Sequence, residues 1–86
     1  MDIRVCGHVQ GVFYRDQASR NALLLGIAGW VRNCDDGSVQ IHAEGSEHAL
    51  RKFVQWCSIG SPLSRVEHIE TASSHVSGLA HFEIVG

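Results

Sequence analysis

The alternation of apolar and polar positions divides the chain into short, clearly punctuated segments. Ile3 and Val5 alternate with Arg4 and Cys6, which predicts a first strand running to about His8. Gly7-His8-Val9-Gln10-Gly11-Val12 breaks that pattern with two glycines and reads as a loop. From Tyr14 to Leu25 the period becomes helical: Ala18, Ala22 and Leu25 share one face, widened by Leu24, and Gly26 is a stop signal. Ala28–Cys34 predicts a second strand, Asp35-Asp36-Gly37-Ser38 a hairpin turn, and Val39–Glu44 a third strand. In that third strand Val39, Ile41 and Ala43 are expected inside, with Gln40, His42 and Glu44 on a wet face.

Gly45-Ser46 offers an N-cap for a second helix. Leu50, Phe53, Val54 and Cys57 form its expected buried stripe, and Gly60 and Pro62 close it. Val66–Thr71 is a weaker strand. Val66 and Ile69 are separated by an odd number of positions, so both can face inward only across a bulge or twist. Ser73–Gly78 reads as polar loop, and Phe82 and Ile84 mark a final strand.

The order is β-α-β-β-α-β, with an extra terminal strand or a split last one. Two helices on one face of a mostly antiparallel four- to five-stranded sheet make an α+β, ferredoxin-like two-layer sandwich. The 86 residues suffice for one domain, 1–86, with one modest core.

Composition narrows the function. The hydrophobic fraction is 44% and the net charge -2, so the chain is globular and has no basic field for nucleic acid. No segment is long and apolar enough for a membrane span, and the start lacks a signal-peptide pattern, so an intracellular, cytoplasmic location is expected. Cys6, Cys34 and Cys57 are odd in number with no C-x-x-C pair, and they read as buried or half-buried free thiols. The six histidines form no H-x-H or H-x-x-x-H pair and read mostly as surface residues, so no metal site and no cofactor are expected. A monomer is expected, since the pattern leaves no obvious apolar patch outside.

The chemistry concentrates in the first loop. The opening amides of a helix have no internal partners, and loop amides beside them can form a nest for an anion. Arg15 in the first helical turn opposes the macrodipole, an arrangement that makes sense if an anion lies between the two positive features. Other phosphate machinery is absent. There is no G-x-x-x-x-G-K-[ST] loop and no G-x-S-x-G elbow. Where a cysteine phosphatase needs Arg at a fixed distance after its Cys, this chain has Val12, Gln40 and Leu63.

Two segments carry a family resemblance. Val5-Cys6-Gly7-His8-Val9-Gln10-Gly11-Val12-Phe13-Tyr14-Arg15 resembles the first acylphosphatase signature, and Gly29-Trp30-Val31-Arg32-Asn33-Cys34-Asp35-Asp36-Gly37-Ser38-Val39 resembles the second. The resemblance spans nearly the whole chain, through the Gly60-Ser61-Pro62 stop to Phe82-Glu83-Ile84. One departure is Tyr14, where the family usually has Phe; it is expected to add a hydroxyl beside the loop. The resemblance implies that the backbone amides of Val9, Gln10, Gly11, Val12, Phe13 and Tyr14, with Arg15, bind the phosphate of a small acyl phosphate. It implies that Asn33 orients the attacking water, and that the enzyme needs no metal. On the residues alone, Asn33 reads as a turn-flanking Asn, and only the resemblance outweighs that reading.

Chemistry makes so short a list reasonable. The leaving group of an acyl phosphate is a carboxylate, which needs little or no protonation, so positioning and charge stabilisation carry the reaction. Two rivals stand beside this reading. One is a non-catalytic, phosphate-binding module. The other is an acylphosphatase-like accessory domain of the hydrogenase-maturation kind, where the motif Arg is typically followed by Pro; here Asp16 follows.

Overall fold

A computed structural model describes residues 1–86. The elements follow in the order β1 (Asp2–His8), α1 (Tyr14–Leu25), β2 (Ala28–Asn33), β3 (Val39–Glu44), α2 (Glu47–Ile59), β4 (Arg65–Ala72) and β5 (Phe82–Ile84). The sheet order is β4-β1-β3-β2-β5. All pairings are antiparallel except β2 with β5, which is parallel. The terminal strand left open in the sequence is thus a separate three-residue strand at the edge opposite β4. No helix is long and apolar enough to cross a membrane.

Alternation places Ile3, Val5, Val31, Val39, Ile41 and Ala43 on the helix-facing side, all buried. Ala18 and Ala22 from α1 and Ala49, Phe53 and Cys57 from α2 close over them. The buried stripe of α2 is therefore centred on Ala49, Phe53 and Cys57, with the expected Leu50 and Val54 only half-buried at its flanks. Leu24 is a plain correction: it is 84% exposed, because α1 buries only the narrow Tyr14–Ala18–Ala22 row. Ser46 caps α2 through its hydroxyl, which accepts from the Ala49 amide at 3.1 Å. Gly26 ends α1 in the left-handed region, its amide and that of Ile27 donating to Leu23 and Ala22.

The bulge demanded by Val66 and Ile69 is present. Cys6 pairs with His68 and Gly7 with Val66, so Glu67 is the extra residue, and both apolar side chains pack on the core. Gly7 is required there: at φ 131° a Cβ would lie 2.1 Å from the Arg65 carbonyl oxygen.

Tyr14 corrects a second expectation. Its hydroxyl does not lie beside the loop; it points into the core and donates to the Cys57 carbonyl at 2.8 Å. That carbonyl belongs to the last turn of α2, where no intrahelical donor is available, so Tyr14 satisfies one helix end from the start of the other. Burial pushes the hydroxyl well above its ordinary value and keeps it a donor. Tyr14→Phe is expected to lower unfolding stability by about 1–2 kcal/mol, measured by urea denaturation, because it leaves a buried carbonyl unsatisfied. Of the thiols, Cys57 is buried and pushed up to about 12 by desolvation, while Cys6 and Cys34 are half-buried; all three are free.

The second face of the sheet is not wet at β3, contrary to expectation. His42 and Glu44 are both buried there. Because β4 and β5 occupy opposite edges, residues 73–81 must cross this face, and they cover it. The Glu44 carboxylate holds the crossing segment by accepting from the amides of Ser77, Gly78 and Leu79 at 2.7, 3.1 and 3.2 Å. His42 bridges Glu44 at 2.6 Å and Asp2 at 2.8 Å, and its ring stacks on Trp30.

This cluster makes a signed pH prediction. The Ser77 amide, then His42, lower Glu44 to about 2, whereas the hydrogen bonds to Asp2 and then Glu44 raise His42 above 6.5. Glu44 contributes stability above its ordinary 4.5 that is lost as pH falls towards 2. His42 contributes stability below 6.5 that is lost as pH rises through its folded value. Denaturation curves should therefore show stability falling as pH rises above 6.5, and His42→Gln should flatten that slope.

Candidate active site

The sheet topology sets one end of the molecule as the site. β1 delivers the chain into the loop 9–13, and β2 ends beside it at Asn33. Asn33 shares the helix-facing side of β2 with Val31, so its side chain belongs to the layer where α1 begins, whereas Trp30 and Arg32 face the other way. On the parallel edge strand, Ile84 lies in register with Val31 and reaches the same end.

The loop has an unusual backbone. Gly11 adopts φ 73° with open space around it, so its glycine is there for conformation and not for room. Phe13 adopts φ 63° although it is not glycine, a left-handed conformation that costs on the order of 1 kcal/mol. None of the main-chain amides from Val9 to Phe13 finds a hydrogen-bond partner within the protein, and Tyr14 opens α1, where amides have no helical acceptor.

Two side chains keep this loop in place. Gln10 Nε2 donates to the carbonyls of Cys34 and Ser38 at 2.7 and 2.8 Å, tying the loop to the hairpin just beyond Asn33. Buried Ser61 donates its hydroxyl to the Val12 carbonyl at 2.7 Å, holding that oxygen in the interior. Gln10 was expected only as a backbone amide and Ser61 only as part of a helix stop. The distant partner of Ser61 leaves no signal in the sequence.

Val9, Gly11, Phe13, Tyr14, Arg15, Asp16, Asn33 and Ile84 line one pocket of about 340 Å³. The two expected site side chains, Arg15 and Asn33, are thus brought together with most of the loop; Gln10 and Val12 do not line the pocket. Half-buried Arg15 makes no ion pair and no hydrogen bond within the protein. Asn33 Oδ1 is buried and has no hydrogen-bond partner within the protein. Such an acceptor is costly unless something donates to it. Asp16 and Ile84 are the pocket residues that sequence reasoning did not select.

Unpaired amides, an unpaired guanidinium and an unsatisfied amide oxygen in one cleft of a ferredoxin-like sandwich define a small protein built to receive an anion together with a hydrogen-bond donor. The comparisons with known proteins give that class a family. The family model described as Acylphosphatase matches residues 1–84, and the chain belongs to the acylphosphatase family.

An acylphosphatase of Synechococcus sp. is 47% identical over 81 residues, covering 94% of this chain and 69% of its own length. One from Nocardioides sp. is 44% identical over 84 residues, covering 98% and 85%. The crystal structure of acylphosphatase from Bacillus subtilis superimposes with a TM-score of 0.95 at 45% identity, covering 99% of this chain and 96% of that one. The same fold also occurs inside a much longer protein. Full-length HypF, in a phosphate- and nucleotide-bound form, matches with a TM-score of 0.86 at 27% identity over 99% of this chain but only 11% of its own.

Proposed function

We propose that the chain hydrolyses small acyl phosphates to carboxylate and inorganic phosphate, with Arg15, the Val9–Tyr14 amides and Asn33 as the working groups and no metal required. Family membership and acylphosphatase relatives along nearly the full chain support the activity. They do not favour the accessory-module reading. The observation that most supports the site is the buried, unpartnered Asn33 Oδ1 in the same pocket as the unpaired Arg15.

In this reading the phosphoryl oxygens take hydrogen bonds from the loop amides and the Arg15 guanidinium. A guanidinium carries its charge permanently and presents a fork that matches two phosphoryl oxygens. Asn33 Oδ1 accepts a hydrogen from water, leaving a lone pair of that water free to approach phosphorus. A new P–O bond forms as the bond from phosphorus to the acyl oxygen breaks. The electron pair leaves with the carboxylate, and the proton of the attacking water passes to a phosphate oxygen or to solvent. Charge on the equatorial oxygens meets donors already in place, so little reorganisation is needed.

Hydrolysis of benzoyl phosphate in ¹⁸O-labelled water tests the direction of attack. Label in inorganic phosphate is expected. Label in benzoate instead would place attack at the acyl carbon and remove the proposed role of Asn33.

A further inference from the structure

Once the phosphoryl group is assigned to the loop, Arg15 and Asn33, the rest of the pocket is available to the acyl group. That remainder has a distinct character. Phe13 is 68% exposed and Ile84 42% exposed, and both line the cleft, giving it two apolar surfaces. Beside the loop residues Val9, Gly11 and Tyr14, exposed Asp16 also lines the cleft, and it forms no ion pair within the protein. Arg15 is the lone cation of the cleft, and the phosphoryl group claims it. The acyl end therefore meets apolar surface and a negative charge, with no positive group to offset a second anion.

We infer that this pocket selects acyl phosphates whose acyl group is apolar and uncharged, through Phe13 and Ile84, and that Asp16 disfavours acyl groups carrying a carboxylate or phosphate of their own. The inference rests on the proposed acyl-phosphate hydrolysis and names its substrate class. The placement of both apolar residues supports it. Phe13 is held in a left-handed conformation that strains any residue with a side chain, yet its ring stays largely exposed at the cleft. Ile84 sits on the short edge strand that follows the segment pinned by Glu44, so its position is set by the fold. The Asp16 contribution is a through-space repulsion near the surface. It should amount to about a threefold to tenfold effect and weaken in salt.

The test compares kcat/KM for acetyl, benzoyl and 4-carboxybenzoyl phosphate in the wild type, Ile84→Ser and Asp16→Asn. Comparing each variant with the wild type cancels the intrinsic reactivities of the three anhydrides. Ile84→Ser is expected to lower the benzoyl-to-acetyl ratio by about threefold to tenfold, as loss of one apolar contact surface requires. Asp16→Asn is expected to raise the 4-carboxybenzoyl-to-benzoyl ratio by about threefold to tenfold at low salt, and by less at high salt. Active proteins with either ratio unchanged would overturn the substrate selection while leaving the hydrolytic reading intact. A folded wild type that hydrolyses none of the three would overturn that reading and this inference with it.

Discussion

Arg15→Ala is expected to lower kcat/KM for acyl phosphates by about a thousandfold, equivalent to about 4 kcal/mol of transition-state stabilisation. The side chain is half-buried, lines the pocket and has no carboxylate partner, so the protein offers no use for its charge except an anion in the cleft. Inorganic phosphate should lose most of its affinity in parallel, followed as competitive inhibition or by titration calorimetry. Arg15→Lys should recover only part of the loss, because an ammonium ion is a point charge without the planar fork. Because no ion pair is broken, unfolding stability should change little. A large fall in stability would assign Arg15 to the fold.

Asn33→Ala is expected to act differently. It should lower kcat by on the order of a hundredfold while leaving phosphate affinity within about threefold of the wild type. The loop and Arg15 still hold the phosphoryl group, but the attacking water loses its acceptor. Stability should rise or hold, since the substitution removes an oxygen that is buried without a partner. Loss of phosphate affinity equal to the loss in kcat would instead place Asn33 in the binding cradle. Unchanged turnover would remove its role altogether.

Much of this site was legible because local rules and the family signature point to one place. Gly11 marks the loop and Tyr14 the helix start, and the cation at Arg15 violates an ordinary preference unless an anion is present. Asn33 was different: by itself it is a common residue before a turn, and only the family pattern distinguished it. The strand parity that turns Asn33 towards the loop, with Val31 one step earlier on the same face, comes from the sheet.

What the sequence hid was mostly long-range. Ser61 meets Val12, and Tyr14 meets Cys57, through contacts between distant segments that no periodicity records. The far face of β3 was misjudged for a topological reason. Alternation put His42 and Glu44 opposite the core side, and that was correct, but the crossing of residues 73–81 from one sheet edge to the other converted that face from wet to covered. Leu24 erred in the opposite direction, since a helix face widened by sequence spacing meets the sheet only along the Ala18–Ala22 row. Ile84 and Asp16 joined the pocket because β5 pairs with β2 and α1 starts at the cleft, neither of which marks them individually in the sequence.

The measurement closest to the central claim is hydrolysis of benzoyl phosphate by the purified wild-type protein in the presence of a chelator, with 4-nitrophenyl phosphate as the comparison. Rapid, chelator-insensitive loss of the anhydride with the phenyl ester left intact is the expected result. Absence of acyl-phosphate hydrolysis by the folded protein, or activity that the chelator abolishes, would contradict a site that works through backbone amides, Arg15 and Asn33 alone.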